Sequence, residues 1–172
     1  MRALKEIAAV IGLMLVGLVW PDVDLAIPFL PHRSGLTHSV LLPVALLGAG
    51  LLRGPLVGGM LLGLALALTA ALFPHAWIGY TTVHLPLWGG LGWLSPVWLV
   101  GNALAALILA HYELTAGGRR PWPWVSYGAL AALTVVYALV VERSLWPLLA
   151  FPALWFLAVR LADRAFRGDA GP

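Results

Sequence analysis

The sequence predicts an all-α helical bundle that spans a membrane, built as a single domain over residues 1–172. Three observations lead to this prediction. Hydrophobic residues make up 62% of the chain and charged residues only 10%, whereas charged residues are about a quarter of an ordinary soluble domain. The apolar residues form runs of roughly 20, the length of a helix that crosses a bilayer. No polar linker divides the chain.

Six apolar segments are candidate spanning helices. We expect the first to be retained, because no small-residue cleavage motif follows it. The sixth is the weakest, since Pro147 and Pro152 interrupt it and proline removes a backbone donor. The predicted spans are Leu4–Trp20, Leu36–Leu52, Pro55–Phe73, Leu94–Tyr112, Trp124–Val141 and Leu145–Leu161.

Basic residues divide unequally between the alternate ends of these spans. With both termini in the cytoplasm, only Arg33 and Arg143 lie outside, and an excess of Lys and Arg marks cytoplasmic segments. The sequence therefore predicts a multi-pass protein of the bacterial inner membrane, and its scattered charge gives no indication of nucleic-acid binding. The cytoplasmic set is Arg2, Lys5, Arg53, Arg119, Arg120, Arg160, Arg164 and Arg167.

Between the first two predicted spans the sequence reads PDVDLAIPFLPHRSGLTHS and holds four candidate metal ligands. Asp22 and Asp24 follow Pro21, which breaks the helix, and His32 and His38 come later in the same stretch. Ionisable groups at a membrane border are costly to desolvate and therefore indicate a functional site. Carboxylate and imidazole donors favour zinc or a similar divalent ion. The chain has no cysteine, which excludes thiolate ligands.

The second half of this stretch predicts the start of a helix. Thr37, or alternatively Ser34, is a candidate N-cap for the second span. His38 would then lie in the first helical turn, where the helix dipole disfavours a positive charge, so we expect a neutral ring. Arg33 could contact an anionic substrate group or pair with an aspartate. The alternative is a loop that binds no metal, in which Arg33 anchors the interface and one histidine is hydrogen-bonded.

A second loop, with the sequence FPHAWIGYTTVHLPLWGG, is predicted on the same side of the membrane as the aspartates. It carries His75 and His84, each of which could supply a metal ligand or act as a general acid or base. Histidine is also common in interfacial loops, and the sequence leaves both interpretations open.

The PDVD and HRSGLTHS motifs resemble those of the metal-dependent membrane hydrolases, also described as LexA-binding, inner-membrane-associated hydrolases. The resemblance implies hydrolysis supported by a divalent metal. Members also carry a His and an Asp one helical turn apart in the third span, where this chain has Ala67 and Ala71. Positions four apart share one helix face, so we expect both alanines to face the first and second spans near their outer ends. The matched residues are Pro21, Asp22, Asp24, His32, Arg33, Thr37, His38 and Ser39.

The preferred hypothesis is a divalent-metal-dependent hydrolase acting on a lipid-like phosphoester or ester at the outer membrane boundary. The metal, most simply zinc, would be held by the two aspartates with His32 and His38. His75 or His84 would be the general acid or base, and Arg33 would contact the substrate.

Two alternatives come from other functional classes. A non-catalytic membrane scaffold or subunit would keep the motif without the activity, as Ala67 and Ala71 suggest. A small-solute or metal-ion permease is weaker, because few polar residues lie deep in the spans. Membrane lipids are the expected partners, and the sequence indicates no particular protein partner or oligomeric state. The deep polar residues are Thr69, Asn102 and Thr134.

Overall fold

The computed structural model describes residues 2–73, 82–116, 121–141 and 143–167, and over these ranges it is the predicted all-α bundle. A 3-10 helix, Trp20–Ala26, continues from the first α-helix, and a π-helical turn, Tyr137–Val141, follows the fifth. A β-hairpin with strands β1 (His84–Leu85) and β2 (Gly89–Gly90) precedes the fourth. The α-helices are α1 (Arg2–Val19), α2 (Leu41–Gly48), α3 (Pro55–Ala70), α4 (Ser95–Thr115), α5 (Pro121–Val136) and α6 (Trp146–Arg167).

Four helical segments in the described ranges are long and apolar enough to cross a membrane, which confirms a membrane-embedded protein. They correspond to the first, fourth, fifth and sixth predicted spans. The third span is represented by α3, whose 16 residues extend about 24 Å, less than the ~30 Å of a hydrocarbon core. The four segments are Leu4–Ala26, Gly92–Thr115, Trp122–Val141 and Trp146–Phe166.

The two prolines expected to weaken the sixth span do not interrupt it. α6 is continuous over 22 residues. Pro147 lies in the first turn of α6, where a backbone N–H has no partner within the helix. The N–H that proline lacks therefore costs little there. Pro152 lies inside the helix.

The second predicted span, Leu36–Leu52, is not a spanning helix, and this part of the prediction is wrong. Only α2 is helical, and its eight residues extend about 12 Å. Before it, the Thr37 and Ser39 hydroxyls donate to the backbone carbonyls of Ser34 and Leu36 at 3.0 and 2.8 Å. Such local bonds compete with helix formation.

The chain beyond α2 also departs from helical conformation. Gly50 and Gly54 both have positive φ angles, 71° and 56°, which glycine adopts without steric cost. The segment between α2 and α3 therefore turns instead of extending the helix.

α3 is the central helix, buried on nearly every side, and α1 packs along it through glycines. A methyl group at Gly59 would lie 2.6 Å from Val10 O, and one at Gly63 would overlap Met14 O. Only glycine lets two helix backbones approach so closely, as at small-residue interfaces in membranes. Because the contacting positions advance together along both helices, α1 and α3 run parallel.

α4 runs antiparallel to α3. Gly58, near the start of α3, lies against Leu114, near the end of α4. Leu68, near the end of α3, packs in one buried cluster with Leu99, near the start of α4. The pairing therefore reverses along the two helices.

These directions define two ends of the bundle. At the terminal end α1 and α3 begin and α4 and α6 end, and the rings of Tyr112 and Phe166 lie 4.6 Å apart. At the loop end α1 passes into its 3-10 helix, the hairpin precedes α4, and the rings of Phe73 and Trp146 stack at 6.3 Å. The first and last described residues lie at the same end, in agreement with the predicted arrangement of the termini.

Candidate metal and catalytic site

The 3-10 helix at the end of α1 separates the two aspartates of the PDVD motif. Pro21 lacks a backbone donor, and the chain tightens from α to 3-10 geometry at Trp20. Asp22 is exposed at the surface, whereas Asp24 is turned inward and is only 3% exposed. Spacing of two in a tight helix thus sends the two carboxylates in different directions.

Asp24 closes the loop that carries the second motif. Its Oδ2 accepts a hydrogen bond from the backbone N–H of Ser34 at 2.8 Å and from the Thr37 hydroxyl at 3.1 Å. Its side chain is fully buried. A buried carboxylate is tolerated only where donors compensate its desolvation, so these two contacts fix the loop against the 3-10 helix.

His38 is buried beside Asp24 and lies in a turn before α2, so the expectation that it occupies a first helical turn is wrong. Its Nδ1 lies 3.1 Å from Ser34 O and 4.0 Å from Asp24 Oδ2. Because a carbonyl oxygen only accepts, this contact favours the tautomer with the proton on Nδ1 and the lone pair on Nε2. This is the tautomer that metal-binding histidines adopt when a carbonyl orients them.

The charge state of His38 agrees with the prediction, but its cause differs. Burial lowers the pKa of His38 below the usual 6.5, although the charge of Asp24 and the bond to Ser34 O act in the opposite direction. Desolvation penalises the charged ring. The expected effect of a helix dipole plays no part, because α2 begins only at Leu41.

The second oxygen of Asp24 has a different environment. Oδ1 is buried and has no hydrogen-bond partner in the part of the chain that the structure describes. Nδ1 of the exposed His32 lies 3.6 Å from it. Two donors on one tetrahedral zinc ion, each at about 2.1 Å, lie about 3.4 Å apart, so this pair has a spacing that one ion could bridge.

The full predicted set of four ligands is not gathered around one point. Within residues 2–73, 82–116, 121–141 and 143–167, no three His, Asp or Glu side chains are arranged to hold an ion. Asp22 influences the pKa of His38 through its charge but makes no direct contact with Asp24. The fit to zinc therefore rests on the pair of Asp24 and His32 alone.

Arg33 forms the junction between this loop and the hairpin. Its φ is 62°, a left-handed conformation that is uncommon outside glycine. The Arg33 carbonyl accepts the His84 N–H at 2.9 Å, and His84 O accepts the Gly35 N–H at 2.7 Å. Arg33 and His84, which were both predicted to act on substrate, thus also join the loop and the hairpin through their backbones.

Of the two predicted acid–base histidines, only His84 lies within the residues that the structure describes. The ring of His84 packs beside Gly90, and its buried Nδ1 has no hydrogen-bond partner among the described residues. His75 lies outside the described residues. Between His84 and Asp24 the structure gives a connection through Ser34, which pairs with His84 as an isolated β-bridge.

Three α4 side chains that were not predicted as site residues hold the loop and the hairpin in place. Trp98 Nε1 donates to His38 O at 2.8 Å, and Asn102 Oδ1 accepts the Val40 N–H at 3.1 Å. Ser95 Oγ accepts the Val83 N–H at 3.0 Å. The sequence could have identified Asn102 as such a residue, because an amide within an apolar span needs a hydrogen-bond partner. Trp98 and Ser95 gave no such indication, because both residue types are common at helix ends.

Ala67 and Ala71 continue the row of small residues by which α3 contacts α1. Gly63 lies against Met14, and Ala67 and Ala71 follow at intervals of four on the same face. Ala71 packs with the cluster that includes Trp20, the first residue of the 3-10 helix. Ala71 thus lies near the loop end of the bundle, and the expectation that both alanines face the first and second spans stays a prediction.

A second polar group lies at the terminal end, where the sequence indicated no site. Nδ1 of His111 is 2.7 Å from the Tyr127 hydroxyl, and its Nε2 is 3.6 Å from Asp163 Oδ1. Glu113 Oε2 accepts the N–H of Gly54 at 2.8 Å. These contacts join α4 to α5, α6 and the start of α3.

Comparisons of the chain with protein-family models, with curated proteins and with solved structures find no match. The resemblance to the metal-dependent membrane hydrolases therefore remains a prediction from the two sequence motifs. The geometry around Asp24 is the main support for a function.

Proposed function

We propose that this chain is a divalent-metal-dependent hydrolase of the bacterial inner membrane, acting on the ester or phosphoester bond of a lipid-like substrate. The Asp24 carboxylate is the observation that carries the proposal. One of its oxygens fixes the loop, and the other is buried and directed toward His32 without a hydrogen bond in the described residues. An oxygen left in this state is costly unless a cation or donor compensates it.

Each residue of the loop has a role in this proposal. Asp24 Oδ1 and His32 would hold the ion, and His38 would add a donor through Nε2. Ser34 O orients the His38 ring through Nδ1. A bound zinc ion would supply Lewis acidity that activates water near neutral pH and polarises a substrate oxygen. Asp22 is close enough to act on His38 through its charge and adds negative potential that attracts the cation.

The remaining predicted residues would handle the substrate. Arg33 would bind an anionic group, for which a guanidinium is well suited. His84 would exchange a proton with the reacting group, and His75 is the alternative. A lipid-like substrate is favoured because the loop lies at the end of membrane-spanning helices.

The decisive test separates the two oxygens of Asp24. Asp24→Asn keeps one acceptor oxygen for Ser34 and Thr37 but places an NH₂ group where Oδ1 stood. Glu113→Gln is the matched control, since Glu113 also accepts a backbone N–H and lies at the opposite end. Metal analysis of purified wild type should give about one zinc ion per chain. Asp24→Asn should lose the ion and Glu113→Gln should keep it.

A non-catalytic scaffold is the second candidate, and a specific observation favours it. The contacts of Asp24 with Ser34 and Thr37 explain its burial by loop closure alone, and Ala67 and Ala71 carry no donors. Wild-type protein that stays free of metal after purification without chelator, and after incubation with zinc, would reject the hydrolase in favour of the scaffold.

The proposed membrane orientation has its own test. Single cysteines at Ala76 and Gly118, both outside the described residues, would be labelled in intact cells with an impermeant maleimide. Because the native chain has no cysteine, each signal comes from one position. We expect labelling at 76 and protection at 118. The reverse pattern would place the Asp24 loop in the cytoplasm.

A further inference from the structure

The hairpin of residues 83–94 has a base that is firmly held by the bundle. Val83 is fully buried, and its N–H donates to Ser95 Oγ. The Leu91 N–H donates to Val83 O at 2.8 Å, which closes the hairpin at its base. The position of the hairpin relative to α4 is therefore fixed.

The tip of the same hairpin has the opposite character. Leu87 is 103% exposed and Trp88 86%. Trp93, just beyond the base, is 76% exposed, and residues 83–94 include no Asp, Glu, Lys or Arg. Large apolar side chains that protrude together from a surface mark a site of contact with another apolar phase.

The turn at the tip shows that an apolar side chain is held there against local preference. Trp88 N–H donates to Leu85 O at 3.3 Å, which makes Pro86 and Leu87 the central residues of a β-turn. Leu87 has a φ of 73°. Proline followed by a positive φ is the pattern of a type II turn, in which this third position usually holds glycine or asparagine. A leucine gains nothing here from packing within the described chain, because it is fully exposed.

We infer that the tip of this hairpin inserts into the interfacial layer of the lipid bilayer and sets the depth of the Asp24 loop. The spanning segment Gly92–Thr115 begins inside the hairpin, so the tip stands next to the bilayer surface. Tryptophan prefers the interface between headgroups and acyl chains. The exposed Leu and Trp side chains therefore have a matching environment without a protein partner.

The hairpin is joined to the candidate site through the backbone. His84 exchanges hydrogen bonds with Arg33 and Gly35 on the loop, and a side chain at Gly35 would collide with Leu85. Anchoring the tip in lipid thus holds the Asp24 loop at the same level. This inference does not depend on hydrolysis, and it would apply to a scaffold equally well.

The test uses the absence of native cysteines. Leu87→Cys carries a nitroxide label, and the full chain is reconstituted in vesicles of phosphatidylcholine and phosphatidylglycerol. Collisions of the label with oxygen, which partitions into lipid, are compared with collisions with a water-soluble nickel chelate. We expect oxygen collisions at 87 to exceed nickel collisions several-fold. Trp88→Cys provides a second position in case the first variant fails to fold.

Arg143→Cys is the control, because this exposed residue lies in the loop between α5 and α6 at the same end. Its label should meet the nickel chelate freely. A label at 87 and 88 that meets nickel as often as at 143 would place the tip in water and overturn the inference. Shielding from both reagents would indicate coverage by protein, such as a second copy, and would overturn it as well.

Discussion

The two ends of the bundle each hold a carboxylate that accepts a backbone N–H, but the rest of their surroundings differs. At the terminal end, Glu113 accepts from Gly54 at 2.8 Å, where a negative charge stabilises the start of α3. At the loop end, Asp24 accepts from Ser34 at the same distance. Glu113 joins two helices, whereas Asp24 closes an irregular segment and keeps one oxygen directed toward His32.

This difference shows which polar groups are explained by the fold alone. A carboxylate at a helix N-terminus has a sufficient structural role. Asp24 Oδ2 also has one, but Oδ1 does not. Irregular backbone within a membrane protein occurs where it lines a cavity or is enclosed by protein. The loop end therefore carries the functional proposal, although both ends contain histidine and aspartate.

The largest expected effect is the loss of stability when Asp24 is truncated. Asp24→Ala leaves the buried N–H of Ser34 without its acceptor and removes one of the two acceptors of the Thr37 hydroxyl, and we expect a loss of about 2 to 3 kcal/mol. Glu113→Ala, which removes one partly buried bond, should cost about 1 kcal/mol. Denaturation in detergent measures both. Equal losses at the two ends would mean that Asp24 is no more constrained than a helix cap.

The second prediction asks whether the loop end can be strengthened as a metal site. Ala67→His with Ala71→Asp adds two donors on the α3 face that meets α1. Titration with zinc should show a gain in affinity on the order of tenfold, about 1.4 kcal/mol. Each single change should do less. No gain from the double variant, with the fold intact, would mean that this face does not reach the Asp24 loop.

A smaller effect is expected from the polar group at the terminal end. Tyr127→Phe removes the hydroxyl that lies 2.7 Å from His111 Nδ1, and we expect a loss of about 1 kcal/mol. Zinc content should not change. A loss of metal in this variant would contradict the assignment of metal binding to the loop end alone.

The smallest expected effect is a pH dependence of the metal-free protein. The pKa of His38 is lowered in the folded state relative to 6.5, so as the pH falls below this value the unfolded chain takes up the proton first. Stability should therefore decrease on acidification through the range below the ordinary pKa of 6.5.

His38→Gln is the control for this pH dependence, because its amide can still donate to Ser34 O. Melting temperatures measured across the pH range should be flatter for this variant than for wild type. Identical slopes would show that His38 is not the cause of the dependence.

The sequence was sufficient to identify the residues of the candidate loop, but it did not assign a role to each of them. The motifs identified Asp24, His32 and His38, and the structure places these three close together. They did not distinguish Asp24 from Asp22, because the direction of each carboxylate depends on the 3-10 turns that follow Pro21. The contributions of Trp98 and Asn102 depend on how α4 packs, which a local motif does not encode.

Composition and apolar runs alone determined the all-α, membrane-embedded class, since continuous apolar runs of about 20 residues satisfy their backbone in lipid as helices. Tertiary structure decided that α2 is short, because Asp24, Ser34 and Thr37 offer the backbone competing hydrogen bonds that propensity does not reveal. It also decided that α3 is central, since glycine spacing shows a close contact but not its partner. The short length of α2 and the central position of α3 both depend on long-range contacts, which local sequence does not specify.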